Sequence, residues 1–146
     1  MVKEKILDEN QKISEYNSAY HVAFKNFSTS LLNNLKNLKK NEAYPYGVEF
    51  ILVKRSEFNP DYFYIVLLYK HDSIASFLIS YSPNYYKRRK FYRYGQILVK
   101  FETKNISHSI SFDRDILDKK DFKKLLDEVT LYIFNRTLGI FLIKNN

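Results

Sequence analysis

Residues 1 to 43 contain neither glycine nor proline, and their apolar side chains recur at helical spacing. Ile6, Ile13, Tyr16, Tyr20, Phe24, Phe27, Leu31, Leu35 and Leu38 are separated by three, four or seven positions. Ile13 to Leu31 covers five turns at about 3.6 residues per turn, so these side chains share one stripe. Lys12, Glu15, Lys25, Asn33, Lys36 and Lys39 occupy the opposite face. The pattern predicts one long amphipathic helix, or two with a break near Asn17 or Ser28. A period of about 3.6 rather than 3.5 favours packing on a sheet or bundle over a coiled coil. Pro45 and Gly47 close the helical region.

From Tyr46 to Phe112 the chain changes character, with β-branched and aromatic runs divided by turn formers. Strands are expected over Gly47 to Arg55, Tyr62 to Lys70, Ile74 to Ser82, Tyr92 to Thr103 and Ile106 to Phe112. Glu57 to Asp61, the His71-Asp72-Ser73 turn, Pro83-Asn84 and Lys104-Asn105 separate them. Connections this short imply antiparallel neighbours and a meander. Alternation sets Ala75, Phe77, Ile79 and Tyr81 against Ser76, Leu78 and Ser80. In the next strand it sets Ile97, Val99 and Phe101 against Gln96, Leu98 and Lys100. Ile106, Ile110 and Phe112, with His108 among them, likewise oppose Ser107, Ser109 and Ser111. One face is then a helix-covered core and the other meets water. The second strand, apolar on both sides apart from its tyrosines, is expected at the centre.

Asp113 or Asp115, with Asp118 as a second candidate, caps a final helix whose stripe is Phe122, Leu125, Leu126, Val129, Tyr132 and Ile133. Gly139 is a candidate C-cap, leaving Ile140 to Ile143 as a short strand or continued helix. The whole predicts a single α+β domain over residues 1–146. It has two layers, with a long N-terminal helix, an antiparallel sheet of about five strands and a C-terminal helix.

The chain has no cysteine, which rules out disulfides, thiol catalysis and thiolate-bound metal. The charged start Met1 to Lys5 leads into no apolar run, and Leu131 to Ile143 is interrupted and too short to span a bilayer. A cytoplasmic location without membrane attachment is the expectation. Net charge is +8 and the isoelectric point about 9.5, which suits polyanionic partners. Abundant Lys, Asn, Ile, Tyr and Phe are also what AT-rich codon usage produces, so only local clustering carries weight.

One segment is clustered. Tyr85, Tyr86, Lys87, Arg88, Arg89, Lys90, Phe91, Tyr92, Arg93 and Tyr94 form an unbroken run of basic and aromatic residues. Arg88, Arg89 and Arg93 are three of the six arginines, and AT-rich codons favour arginine little. Cations there neutralise phosphates, while flat rings stack on unpaired bases. The expectation is non-catalytic binding of nucleic acid, single-stranded DNA or RNA above duplex. A plainer reading is a solvated hairpin whose charges guard a sheet edge. A third is an accessory factor or inhibitor of a mobile element that docks on an acidic protein surface. The tyrosine-bearing helix leaves homodimerisation open. Lys36 to Lys40 form a second basic run, explained by the dipole at a helix C-terminus.

No cofactor, metal site or catalytic residue is expected. His21, His71 and His108 are far apart in sequence, and His108 reads as a hydrogen-bonded core histidine. Pro60-Asp61 with Glu102-Thr103-Lys104 resembles the PD…ExK string of metal-dependent nucleases, a weak match in so lysine-rich a chain. Asp113-Arg114-Asp115 could suggest a metal pair, but capping explains it.

Overall fold

The computed structural model describes residues 2–39, 44–54, 62–83, 86–87, 90–91 and 95–144, with side chains at 19–38, 44–54, 62–81 and 96–142. The N-terminal stripe folds as one helix, α1, over Val2–Lys39, with no break at Asn17 or Ser28. Ser28 is buried instead, and its hydroxyl satisfies itself by donating to the Lys25 carbonyl at 2.7 Å. Tyr20, Phe24, Phe27, Leu31 and Leu35 are buried along the stripe, while Lys25, Asn33 and Lys36 face solvent.

Among the described residues seven strands follow: β1 (Val48–Val53), β2 (Tyr62–Tyr69), β3 (Asp72–Pro83), β4 (Tyr86–Lys87), β5 (Lys90–Phe91), β6 (Gly95–Glu102) and β7 (Ser107–Arg114). Five of them make an antiparallel sheet in the order β1-β2-β3-β6-β7, and β4 pairs with β5 as a separate ribbon. The expected meander is therefore present. The central strand is β3, not β2, which lies one place from the border. The apolar outer side of β2 does not signal burial on both faces. Its Tyr62, Tyr64, Val66 and Leu68 are left half-buried on the uncovered side.

Two short turns close the same end of the sheet by different means. Between β2 and β3 the turn residues are Lys70 and His71, one position earlier than the sequence suggests, with φ of 52° and 73°. Both are in the left-handed region that hairpins need and that residues with a Cβ resist. Between β6 and β7 the Thr103 hydroxyl takes the amides of Asn105 and Ile106 at 3.2 and 3.1 Å, so that turn needs no such backbone.

The last helix, α2, spans Lys119–Lys144. Asp118 is its N-cap, accepting from the amides of Lys120 (2.8 Å) and Asp121 (3.2 Å). Asp113 belongs to β7, and Asp115 accepts from Leu117 in the preceding turn. Gly139 is not a C-cap but an interior residue, and Ile140 to Ile143 continue the helix. Burial outweighs the low helix propensity of glycine here: Phe141 is 5% exposed and its ring meets Tyr44 and Tyr69.

Both helices lie on one face of the sheet. Tyr20 stacks on Tyr81 at 4.0 Å, Phe24 meets Phe63 at 5.2 Å, and Phe27 meets Phe122 edge-on at 5.8 Å. Such ring pairs add directional energy to the area they bury. Tyr44, just after α1, locks the far end of this layer. Its ring packs against Phe50, Phe134 and Phe141, and its hydroxyl shares a buried hydrogen bond of 2.7 Å with Thr137. Burial pushes the Tyr44 phenol up to about 12, opposed by its bond to Thr137.

Candidate functional site

The basic and aromatic run joins the two innermost neighbours of the sheet. Pro83 faces Gly95 at the last rung of the β3–β6 ladder, so residues 84–94 depart from and return to adjacent positions. Within this span the backbone of Tyr86 and Lys87 pairs with that of Phe91 and Lys90. Tyr85, Arg88, Arg89, Tyr92, Arg93 and Tyr94 lie outside the described residues, as do the side chains of Tyr86, Lys87, Lys90 and Phe91.

Pro83 is tolerated in the central strand because of the ladder's parity. The Thr103 amide donates to the facing Ile106 carbonyl at 2.9 Å. Bonded pairs alternate along a ladder, so Gly95, Ile97, Val99 and Phe101 turn their amides and carbonyls toward β7. The Pro83–Gly95 pair then exchanges no backbone bond, and the missing amide of Pro83 costs β6 nothing.

The sheet face opposite the helices is the second part of the site. Tyr64, Val66, Leu78 and Leu98 form its middle and Ile51 stands on its β1 border, with Ile51 and Leu98 38% and 40% exposed. Tyr62 and Tyr64 meet edge-on at 6.1 Å. Lys100 stands opposite Leu78 and is tied to Glu102 at 2.8 Å, an ion pair that raises the Lys100 ammonium by hydrogen bonding and by charge. Among the described residues Glu49, Glu102 and Asp113 stand on this face beside Lys100, so its described part is not cationic. Its rings can contact an apolar or aromatic group, and phosphates must find their counter-charge elsewhere.

The remaining candidates are dispersed. Glu102 is held by Lys100, Lys104 sits in the β6–β7 turn, and Pro60-Asp61 lies outside the described residues. Among the described residues no three of His, Asp and Glu converge as metal ligands. No described helix is long and apolar enough to cross a bilayer. Asp115 accepts from the Leu117 amide in the turn before α2, and Arg114 beside it bridges to Asp121 and Glu128 of α2.

His108 is not a core residue. It is exposed on β7, where its Nδ1 accepts from Arg136 at 3.0 Å and lies 3.2 Å from the Tyr132 hydroxyl. Arg136 also sits over the rings of Phe101 and Tyr132, at 5.8 and 5.5 Å. Tyr132 and Arg136, four apart on α2, were the available signal for this clamp. Sequence reasoning also misses a groove of about 800 Å³ at the strained turn, lined by Tyr44, Tyr46, Gly47, Glu49, Lys70 and His71. Tyr46 is 98% exposed there. Only Gly47, at φ 95°, hinted at the tight backbone approach that shapes it. Compared with protein-family models, curated proteins and solved structures, the chain has no match in any of the three.

Proposed function

We propose that the protein binds nucleic acid without catalysis, single strands above duplex, through the run from Tyr85 to Tyr94. The observation that carries this reading is the concentration of five cations and five rings in ten residues. Lys87, Arg88, Arg89, Lys90 and Arg93 meet phosphates, while Tyr85, Tyr86, Tyr92 and Tyr94 stack on bases. The uncovered sheet face supports the single-stranded preference. It offers Tyr62 and Tyr64 to a base and holds too little positive charge to bind a duplex backbone by itself. Each stacked base contributes roughly 1–3 kcal/mol.

Five neutralised phosphates give a log–log salt slope of about −3.5 for a single strand and about −4.5 for duplex DNA. Filter binding of an oligonucleotide across a salt series measures it. Replacing Arg88, Arg89 and Arg93 by Gln is expected to flatten the single-strand slope by about 2, at roughly 0.7 per lost contact. An absence of binding to DNA and RNA near physiological salt overturns the proposal, as does an unchanged slope in a folded triple variant.

A second reading has its own observation. Leu98 exposes apolar area next to Lys100 and Glu102 on β6, and Ile51 exposes more on β1 of the same face, a composition that also suits a protein partner. In that reading the cations of the run meet the partner's acidic surface. Nuclease treatment separates the two, since it disperses a complex bridged by nucleic acid and spares one made by protein contact.

A further inference from the structure

The two borders of the sheet differ in whether their outward backbone groups are enclosed. In an antiparallel ladder, opposed residues alternately exchange two backbone bonds and none. Those that exchange none turn their amide and carbonyl to the other side. At the β1 border the Lys70 amide donates to the facing Gly47 carbonyl at 3.0 Å. Counting by twos from that pair, Val48, Phe50 and Leu52 turn away from β2. Val48 is 0% and Phe50 2% exposed, backbone included, while Leu52 is half-buried, so this border is enclosed over Val48 to Phe50.

At the β7 border the same count, begun from the Thr103–Ile106 pair, turns Ser107, Ser109, Ser111 and Asp113 away from β6. All four are exposed. None has a backbone hydrogen bond beyond the sheet among the described residues. The strand is eight residues long, carries no Pro or Lys and pairs with β6 without a bulge. Its charged residues, Asp113 and Arg114, stand together at its end, so Ser107 to Phe112 carry none of the charges, prolines or bulges that usually guard such an edge.

We propose that a second copy of the chain adds its own β7 here, antiparallel, so that the two sheets continue into one another across a two-fold axis. The choice of a second copy rests on self-complementarity. The register that uses the full strand sets Ile110 against Ile110 of the second copy. Ser107 then faces Asp113 and Ser109 faces Ser111, and each of these pairs can exchange both backbone bonds. Between them His108 faces Phe112. No like charges meet, a serine hydroxyl meets each Asp113 carboxylate, and Arg114 is already held by Asp121 and Glu128. The half-buried Ile110 and Phe112 gain cover at the seam. Sliding the register one step in either direction leaves part of each strand unpaired.

This inference is independent of nucleic-acid binding, and salt separates the two. Copies carrying +8 each repel one another, so added salt is expected to tighten the dimer while it weakens binding to a polyanion. Sedimentation equilibrium over a wide range of loading concentrations, at low and high salt, reads the association. Ser109→Pro is expected to weaken it by about tenfold or more while leaving the circular dichroism spectrum unchanged, and the melting curve unchanged at concentrations low enough that the parent is monomeric, because the lost amide does not bond β6. Ile110→Cys tests the register in a chain with no other cysteine. Facing cysteines at an unbonded rung lie about 4.5 Å apart at Cα and can oxidise to a covalent dimer. Ser107→Cys faces Asp113 and should remain uncoupled. A monomer at every concentration in high salt overturns the proposal. So does a dimer indifferent to Ser109→Pro, or equal cross-linking by the two cysteine variants.

Discussion

Phe77 and Leu78 are neighbours on β3, yet they belong to different environments. Phe77 is fully buried under the helices and stacks on Phe101 at 5.0 Å. Leu78 faces Tyr64 on one side and Lys100 on the other, on the side no helix covers. The difference is one step of a period of two, and it divides the molecule's work. Residues on the covered face determine whether the chain folds, and those on the open face bury less area and carry less of its stability.

The sharpest test of that division is truncation at the two neighbours. Phe77→Ala removes a fully enclosed ring and should cost about 3–5 kcal/mol, whereas Leu78→Ala should cost less than about 1 kcal/mol. Urea midpoints at equal slope measure both, and comparable losses would break the comparison.

Tyr44 tests how tightly the covered face is sealed. Its phenol titrates near 12 when folded, against about 10 when unfolded. The folded state therefore favours the protonated form. Stability should be level below pH 10 and fall by roughly 2–3 kcal/mol as pH rises through 12, because the unfolded chain releases its proton first. Tyr44→Phe should cost about 1 kcal/mol at neutral pH through the lost bond to Thr137 and should reduce the alkaline decline. Denaturant melts between pH 8 and about 12 check the difference.

The smallest effect concerns the cover itself. A Cβ at Gly139 would meet nothing within 4 Å. Gly139→Ala should stabilise α2 by about 0.5–1 kcal/mol without altering the open face, which a thermal melt and a repeated binding titration would show.

The layered α+β architecture was legible because hydrophobic period carries it. The stripe from Tyr20 to Leu35 and the alternation in β3 and β6 name the buried residues correctly. What failed depended on tertiary surroundings. Gly139 carries the local mark of a helix end, but the packing of Phe141 against Tyr44 and Tyr69 draws the helix past it. The outward residues of β2 imitate a doubly buried strand, since tyrosine and valine suit a half-exposed face as well as an interior one. His108 sits on the core side by alternation and is still at the surface, because β7 is the sheet's last strand. For the candidate site, composition and position between β3 and β6 were readable. The open edge of β7 was not, because it follows from the bonding parity set at Thr103 and Ile106.

Pro83 and Gly95 make the segment between them a replaceable cassette. They stand opposite each other on a rung that holds no backbone bond, so the frame of the sheet is complete without anything beyond it. Insertions, deletions or wholesale exchange across residues 84–94 can then be absorbed at that junction. Under the proposed function, such changes would alter what the protein touches while leaving the folded body the same.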